Sequence, residues 1–366
     1  MNIAAPQMPG GQAAQYYVNS RDFQMEPVVT LTMNPSLDLV LEVDELVPGN
    51  KLRSKTVRYF PGGGGINIAR VFHRFGQEIH ALFPAGGSNG DRLIRCLNED
   101  GISHEAMRVA AETRESFVVH VADADKHYHF VLPGPELRAE EAERCLQALQ
   151  ELEPTPRYLV ASGSLPRGVD AEFYARVARF ANGRDIRLIL DTSGPPLAAA
   201  LEEGVYLIKP NRFEFSELYG EKLASDDASR RDQVAGALSR GSMENLIVTL
   251  GDAGAMLATP RQLVHARPPR IDEVSTVGSG DSFVALLTLS LAQGKPLREA
   301  FCYGVAAAAA ATMTMVNRLK LLANAINAAS PAAKGAPRSA VRRPTRASGA
   351  RRSARRRGSC VRRSQA

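Results

Sequence analysis

Three short segments of this 366-residue chain combine residue types that could do chemistry. The first reads Thr276-Val277-Gly278-Ser279-Gly280-Asp281 and runs into Val284-Ala285-Leu286-Leu287, where a helix is expected. Gly278, Ser279 and Gly280 would then lie at a helix N-terminus. Unpaired N–H groups and the helix dipole attract an anion there, and small residues let phosphoryl oxygens approach the backbone closely. Asp281, in the first turn, could accept the proton of a hydroxyl that attacks a phosphorus atom. Phosphoryl transfer asks mainly for positioning, charge neutralisation and a base, and one such element could supply all three. Read alone, the same segment is equally a glycine-rich turn with Asp281 as a first-turn helix stabiliser.

The second segment, Pro61-Gly62-Gly63-Gly64-Gly65-Ile66-Asn67-Ile68-Ala69-Arg70, runs four glycines straight into an amphipathic helix. Ordering four glycines costs more entropy than ordering other residues, so their use implies close ligand approach, positive φ angles or a hinge. The pattern is neither a Walker loop nor the dinucleotide fingerprint. The third, Lys209-Pro210-Asn211-Arg212-Phe213-Glu214, follows a strand and opens a helix. Asn211 and Glu214 could hold waters on Mg²⁺, which keeps several waters and needs few protein ligands, or form an N-cap with Glu at N3.

The elements that must position these segments alternate between strand-like and helix-like patterns. Arg157 to Ser162, Arg187 to Asp191, Val205 to Lys209 and Leu246 to Leu250 are short apolar runs separated by amphipathic stretches, the signature of a parallel α/β sheet buried on both faces. Ligands bind at the C-terminal ends of such strands, so Gly163, Asp191, Asn211 and Gly251 fall at the expected groove. Residues 37–60 and 115–132 instead alternate in period two with β-branched and aromatic residues, which predicts antiparallel ribbons serving as a lid or a subunit contact. His120, His127 and His129 lie in the second ribbon, without the Cys or carboxylate spacing of a metal site.

Charge is unevenly spread. Twelve Lys or Arg and no acid fall between Lys334 and Ala366, which leaves 33 basic against 39 acidic residues, about −6, in the rest of a chain whose net charge is +6. Residues 331–366 read as a disordered basic tail able to bind polyanions nonspecifically, and residues 1–26 as a flexible leader, flanking one domain over 27–330. No apolar run is long enough for a membrane helix, and Cys96, Cys145, Cys302 and Cys360 lack zinc or disulfide spacing, so a cytoplasmic protein with reduced thiols is expected.

In their order and spacing these segments resemble the PfkB carbohydrate kinases of the ribokinase-like superfamily, over roughly Val28 to Arg318. Thr32-Met33-Asn34-Pro35-Ser36-Leu37-Asp38, Phe83-Pro84-Ala85-Gly86-Gly87 and Ser162-Gly163-Ser164-Leu165-Pro166 are similar to the family's bacterial minor-type 6-phosphofructokinase branch. The resemblance implies a Rossmann-type three-layer α/β domain with a small antiparallel β-sheet lid, paired through that lid in a homodimer. It implies ATP-dependent phosphorylation of fructose 6-phosphate to the 1,6-bisphosphate in glycolysis, with fructose 1-phosphate or tagatose 6-phosphate as alternative acceptors. A kinase-like protein with impaired ATP binding is a further alternative. Carried over residue by residue, Asp281 is the base beside Gly278, Ser279 and Gly280. Asp38, Gly63, Gly64 and Asn67 hold sugar hydroxyls, and Lys51, Arg114 and Ser164 face the sugar phosphate. Lys209, Asn211, Thr249, Gly251, Gly254 and Thr276 line the nucleotide side, with Asn211 and Glu214 organising Mg²⁺ through water.

The sequence departs from the family at two places. Ser279 stands where the family usually has Ala, a change that leaves the backbone N–H in place. After Gly304-Val305-Ala306-Ala307 the relatives continue into an Asn-x-Gly turn shaping the adenine pocket and a K⁺ loop, whereas this chain reads Ala308-Ala309-Ala310-Ala311-Thr312-Met313-Thr314-Met315-Val316-Asn317-Arg318. ATP and Mg²⁺ are therefore firmer expectations than K⁺.

Overall fold

The computed structural model describes residues 25–124, 126–268 and 277–313. Thr276, the basic tail and the rewritten stretch after Met313 lie outside them, as does all but the end of the leader. The main sheet contains β1 (Val28–Leu31), β4 (His80–Ala85), β5 (His104–Arg108), β8 (Tyr158–Ser162), β9 (Arg187–Asp191), β10 (Val205–Ile208), β11 (Met243–Thr249), β12 (Ala255–Thr259) and β13 (Gln262–Ala266), in the order 13-12-11-10-9-8-1-4-5. Strands 5 through 11 in that order are parallel, as their apolar runs predict, and the β11–β12–β13 edge is antiparallel. That edge turns back through tight connections, Gly251–Gly254 and Thr259–Gln262, too short for a crossover helix.

Helices α1 (Gly64–Arg74), α2 (Gly87–Glu99), α8 (Ser279–Ala292) and α9 (Leu297–Thr312) cover one face, and α3 (Ala139–Gln150), α4 (Phe173–Gly183), α5 (Gly194–Glu203), α6 (Arg212–Tyr219) and α7 (Asp227–Arg240) the other. Strand side chains alternate between two apolar cores: Val160, Ile189, Leu207 and Ile247 join the first, while Leu159, Leu188, Ile208 and Leu246 join the second. The fold is thus the expected three-layer ribokinase-like α/β domain. Helix α8 is apolar all round because α1, α9 and the sheet enclose it, and every residue from Ser282 to Ala292 is buried. Phe283 meets Phe301 edge-on at 6.1 Å, and Gly304 leaves the space for Phe283. This packing fixes the start of α8 beneath the groove.

The lid is β2 (Ser36–Val43), β3 (Thr56–Gly62), β6 (Arg114–Val121) and β7 (Lys126–Val131), in the order 3-2-6-7. The two predicted ribbons are antiparallel, but β2 and β6 join them in parallel, from Ser36↔Arg114 to Val43↔Val121. Both strands leave the C-terminal edge of the main sheet, after β1 and β5, and so run outward together. The lid is therefore mixed rather than purely antiparallel.

Candidate active site

Strand order reverses between β1 and β8, where connections leave in opposite directions and open a crevice at the strand ends. Four loops converge there. At the floor Gly278 takes a left-handed conformation (φ 74°, ψ 7°) as the N-cap of α8, with no side-chain cap on the first-turn amides. Asp281 follows in that first turn and is partly buried. Asn67 of α1 donates from Nδ2 to Asp281 Oδ2 at 2.8 Å, joining segments 214 residues apart. Burial pushes the Asp281 carboxyl up to about 6; Asn67 and Lys209 oppose the rise while Asp191 and Asp38 add to it.

The glycine run is packed, so the hinge reading fails. Gly63 has φ 108°, and a Cβ on it would lie 2.7 Å from Thr32 Cγ2. A Cβ on Gly64 would collide with the Ser162 hydroxyl at the end of β8. These contacts draw the start of α1 against the main sheet and so set Asn67 over Asp281. Asp38, on β2, accepts from Ser36 Oγ at 2.6 Å. Burial raises its carboxyl, against the pull of Ser36, His129, Arg114 and Arg70.

On the other side of the crevice Lys209, at the end of β10, is 5% exposed and pairs with Asp191 Oδ1 at 3.0 Å. Burial pulls its ammonium down, but Asp191, Glu214 and Asp281 outweigh this and raise it. Gly280 sits next to that ammonium, its constructed Cβ 3.8 Å from Nζ. Asn211 caps α6: its Oδ1 accepts from the amides of Phe213 (2.8 Å) and Glu214 (3.0 Å), while Glu214 Oε2 accepts from the Asn211 amide (2.8 Å). The pair is a capping box. It consumes the Asn211 oxygen and leaves Glu214 Oε1 outside the cap. Asn211 also bridges Thr249, and the Thr249 amide donates to Pro210 at 3.0 Å, bringing the α6 start beside the Gly251–Gly254 turn.

The chain matches the pfkB family carbohydrate kinases over residues 26–316. The chain belongs to this family. It is 42% identical over 290 residues to an ATP-dependent 6-phosphofructokinase isozyme 2 of Mycobacterium tuberculosis, covering 78% of this chain and 84% of that protein. A 1-phosphofructokinase of Xanthomonas campestris is 33% identical over 267 residues, 72% of this chain and 83% of its own. The crystal structure of phosphofructokinase-2 from Escherichia coli in complex with potassium superposes with a TM-score of 0.77 at 35% identity, covering 82% of this chain and all of that one.

In this carbohydrate kinase the structure brings together Asp281, Gly278, Ser279 and Gly280 with Asp38, Gly63, Gly64 and Asn67, and places Lys209, Asn211, Glu214, Thr249, Gly251 and Gly254 across the crevice. Arg114, at the root of β6, donates from Nη1 to the Leu132 carbonyl (3.3 Å) and from Nη2 to that of Asn34 (3.0 Å). Ser164, after β8, accepts from Asn34 Nδ2 at 3.2 Å. Lys51 is not brought to them. It is exposed in the connection between β2 and β3, beyond the outer end of the lid. The five steps from Asp38 to Val43 alone span roughly 17 Å at strand rise.

Sequence reasoning put Asp191 at the groove without giving it a role; it holds the Lys209 ammonium. Thr32 and Ser162 stand in segments quoted for the resemblance, but nothing local marks them as the surfaces on which the glycines pack. A nucleoside triphosphate with a divalent cation fits the charge of the site: Asp191, Glu214 and Asp281 surround the Lys209 ammonium, so the carboxylates are in excess. Among the described residues no group of three or more His, Cys, Asp or Glu is placed to grip a metal directly. Contact through water by Glu214 suits that arrangement.

Proposed function

We propose that this kinase transfers the γ-phosphoryl group of ATP to the 1-hydroxyl of fructose 6-phosphate. The observation that carries the reading is the partly buried Asp281 at the start of α8, hydrogen-bonded by Asn67 of the glycine segment. Asp38 and Asn67 orient the sugar so that its hydroxyl faces Asp281. As the O1–P bond forms and the bond to the leaving ADP breaks, Asp281 accepts the hydroxyl proton. The first-turn amides of α8 and the Lys209 ammonium face the charge that builds on the transferred group. Mg²⁺, when bound, neutralises the phosphates; Glu214 would hold one of its waters, and Asn211 acts by fixing Glu214 in the capping box. Thr249, Gly251 and Gly254 line the nucleotide, with Thr276 expected beside them.

Arg114 and Ser164 receive the 6-phosphate. The names of the relatives, 6-phosphofructokinase at 42% and 1-phosphofructokinase at 33% identity, favour the 6-phosphate over fructose 1-phosphate. The exposed apolar side chains of the lid, Val57, Tyr59, Tyr128 and Phe130, support a homodimer. In such a pair Lys51 would serve the other protomer's site. No helix among the described residues is long and apolar enough to cross a membrane. The reaction proposed here is a cytoplasmic step of glycolysis. The test is an ADP-release assay across fructose 6-phosphate, fructose 1-phosphate, tagatose 6-phosphate and free sugars. Fructose 6-phosphate should give the highest kcat/KM, and turnover of none of them would sink the reading.

A further inference from the structure

Ser164 and Arg114 reach the crevice from elements 50 residues apart in sequence, and one residue touches both. Asn34, in the turn after β1, donates from its amide to Ser164 Oγ at 3.2 Å, and its own backbone carbonyl accepts from Arg114 Nη2 at 3.0 Å. Its side chain is held in a closed space, at 8% exposure. Gly134, in the connection from β7 to α3, packs so closely on it that a Cβ there would collide with the Asn34 amide. Four chain segments meet on this one asparagine.

The hydrogen-bond directions matter. A serine oxygen that accepts from Asn34 keeps its own O–H proton for another acceptor, and accepting strengthens it as a donor. Arg114 is anchored through both Nη atoms to backbone carbonyls, while its buried Nε has no hydrogen-bond partner. The cluster thus presents donors in search of an acceptor, and a phosphate monoester is acceptor-rich. Asn34 Oδ1 is also buried without a partner, an unfavourable arrangement that an apolar residue would avoid.

We infer that Asn34 is a positioning residue that sets the Ser164 hydroxyl and the Arg114 guanidinium into one binding arrangement for the phosphate of the sugar, with Gly134 as the wall that holds its amide in place. This rests on the proposed function. Neither Asn34 nor Gly134 needs to touch the ligand. Asn34 acts through Ser164 and Arg114, so its effect falls on the sugar phosphate and spares the nucleotide.

The test is steady-state kinetics on the full chain. Asn34→Ala should raise KM for fructose 6-phosphate about tenfold, the loss of one hydrogen bond supporting a charged ligand. KM for ATP should stay within about twofold. Asn34→Asp should be worse than Asn34→Ala, because its carboxylate captures the Ser164 proton and repels the phosphate. Gly134→Ala should reproduce the Asn34→Ala pattern from a different segment, and supplies the readout if Asn34→Ala does not fold. An unchanged KM for fructose 6-phosphate in Asn34→Ala and Gly134→Ala, or an equal rise in both KM values, overturns the inference. If the parent phosphorylates no sugar, the functional reading fails separately. The inference is then read from the thermal shift that inorganic phosphate gives the parent: its loss in Asn34→Ala supports the role, and an unchanged shift overturns it.

Discussion

The groove floor around Asp281 and the lid above it meet at Asp38 but are built differently. On the floor, the Asp281 carboxylate is answered by Asn67, Lys209 by Asp191, and Asn211 by Glu214. Even one added methyl at Gly63 or Gly64 has no room there. On the lid, strands β3 and β7 are largely exposed, and apolar side chains such as Phe130 (52% exposed) and Val57 (52%) face outward. A single chain fixes the floor. The lid leaves apolar side chains exposed, which the proposed dimer would cover.

The largest effect that would break this contrast is Asp281→Asn. Loss of the base should lower kcat by about 10² to 10⁴. The same change should stabilise the fold. Between about pH 4 and 6 the folded protein keeps a proton that the unfolded chain releases, so stability declines as pH rises through that window. Above it the buried charge costs on the order of 3 kcal/mol. The variant should therefore melt higher than the parent at pH 8 and lose that advantage near pH 4. A variant with lower activity and lower melting temperature at pH 8 would mean damage rather than removal of a destabilised base.

Next in size, Gly64→Ala should push the start of α1 off Ser162 and displace Asn67. A misplacement near 1 Å can cost about 10² in kcat/KM, with about 1–3 kcal/mol of stability lost to overpacking. Parent-like turnover would show that the floor tolerates what its geometry forbids. On the lid, Phe130→Asp should weaken self-association about 30-fold, as removal of a 2 kcal/mol interface anchor would, with little change in melting of the core. Sedimentation across a concentration series reads this directly, and an unaltered profile would remove the lid from the interface. Smallest of all, Lys55→Ala breaks the exposed lid pair with Asp44 and should leave stability almost unchanged. Chemical denaturation is sensitive enough to check it.

The sequence made some of this legible and hid the rest for identifiable reasons. Tyr158 to Ser162 and Arg187 to Asp191 were readable as strands because a strand buried on both faces is a continuous apolar run. Asp281 and the four glycines were readable because few structures justify such residues in such places. The Asn211–Glu214 pair stayed ambiguous because the same two side chains serve a cap or a metal; the structure shows the cap and leaves one Glu214 oxygen outside it. The parallel pairing of β2 with β6 could not be read, since it depends on where two distant strands leave the main sheet. Nor could the double contact of Asn34, which spans 130 residues to Ser164 and 80 to Arg114.

Asp281 is the proposed base, and desolvation pushes its carboxyl up to about 6. The pH dependence of kcat/KM for fructose 6-phosphate tests that most directly, because it reports the free enzyme's essential base. A single-proton fall in rate below about pH 6, absent from the residual activity of Asp281→Asn, is the predicted result. A rate that holds steady down to pH 4.5, or the same acid limb in both proteins, would contradict it.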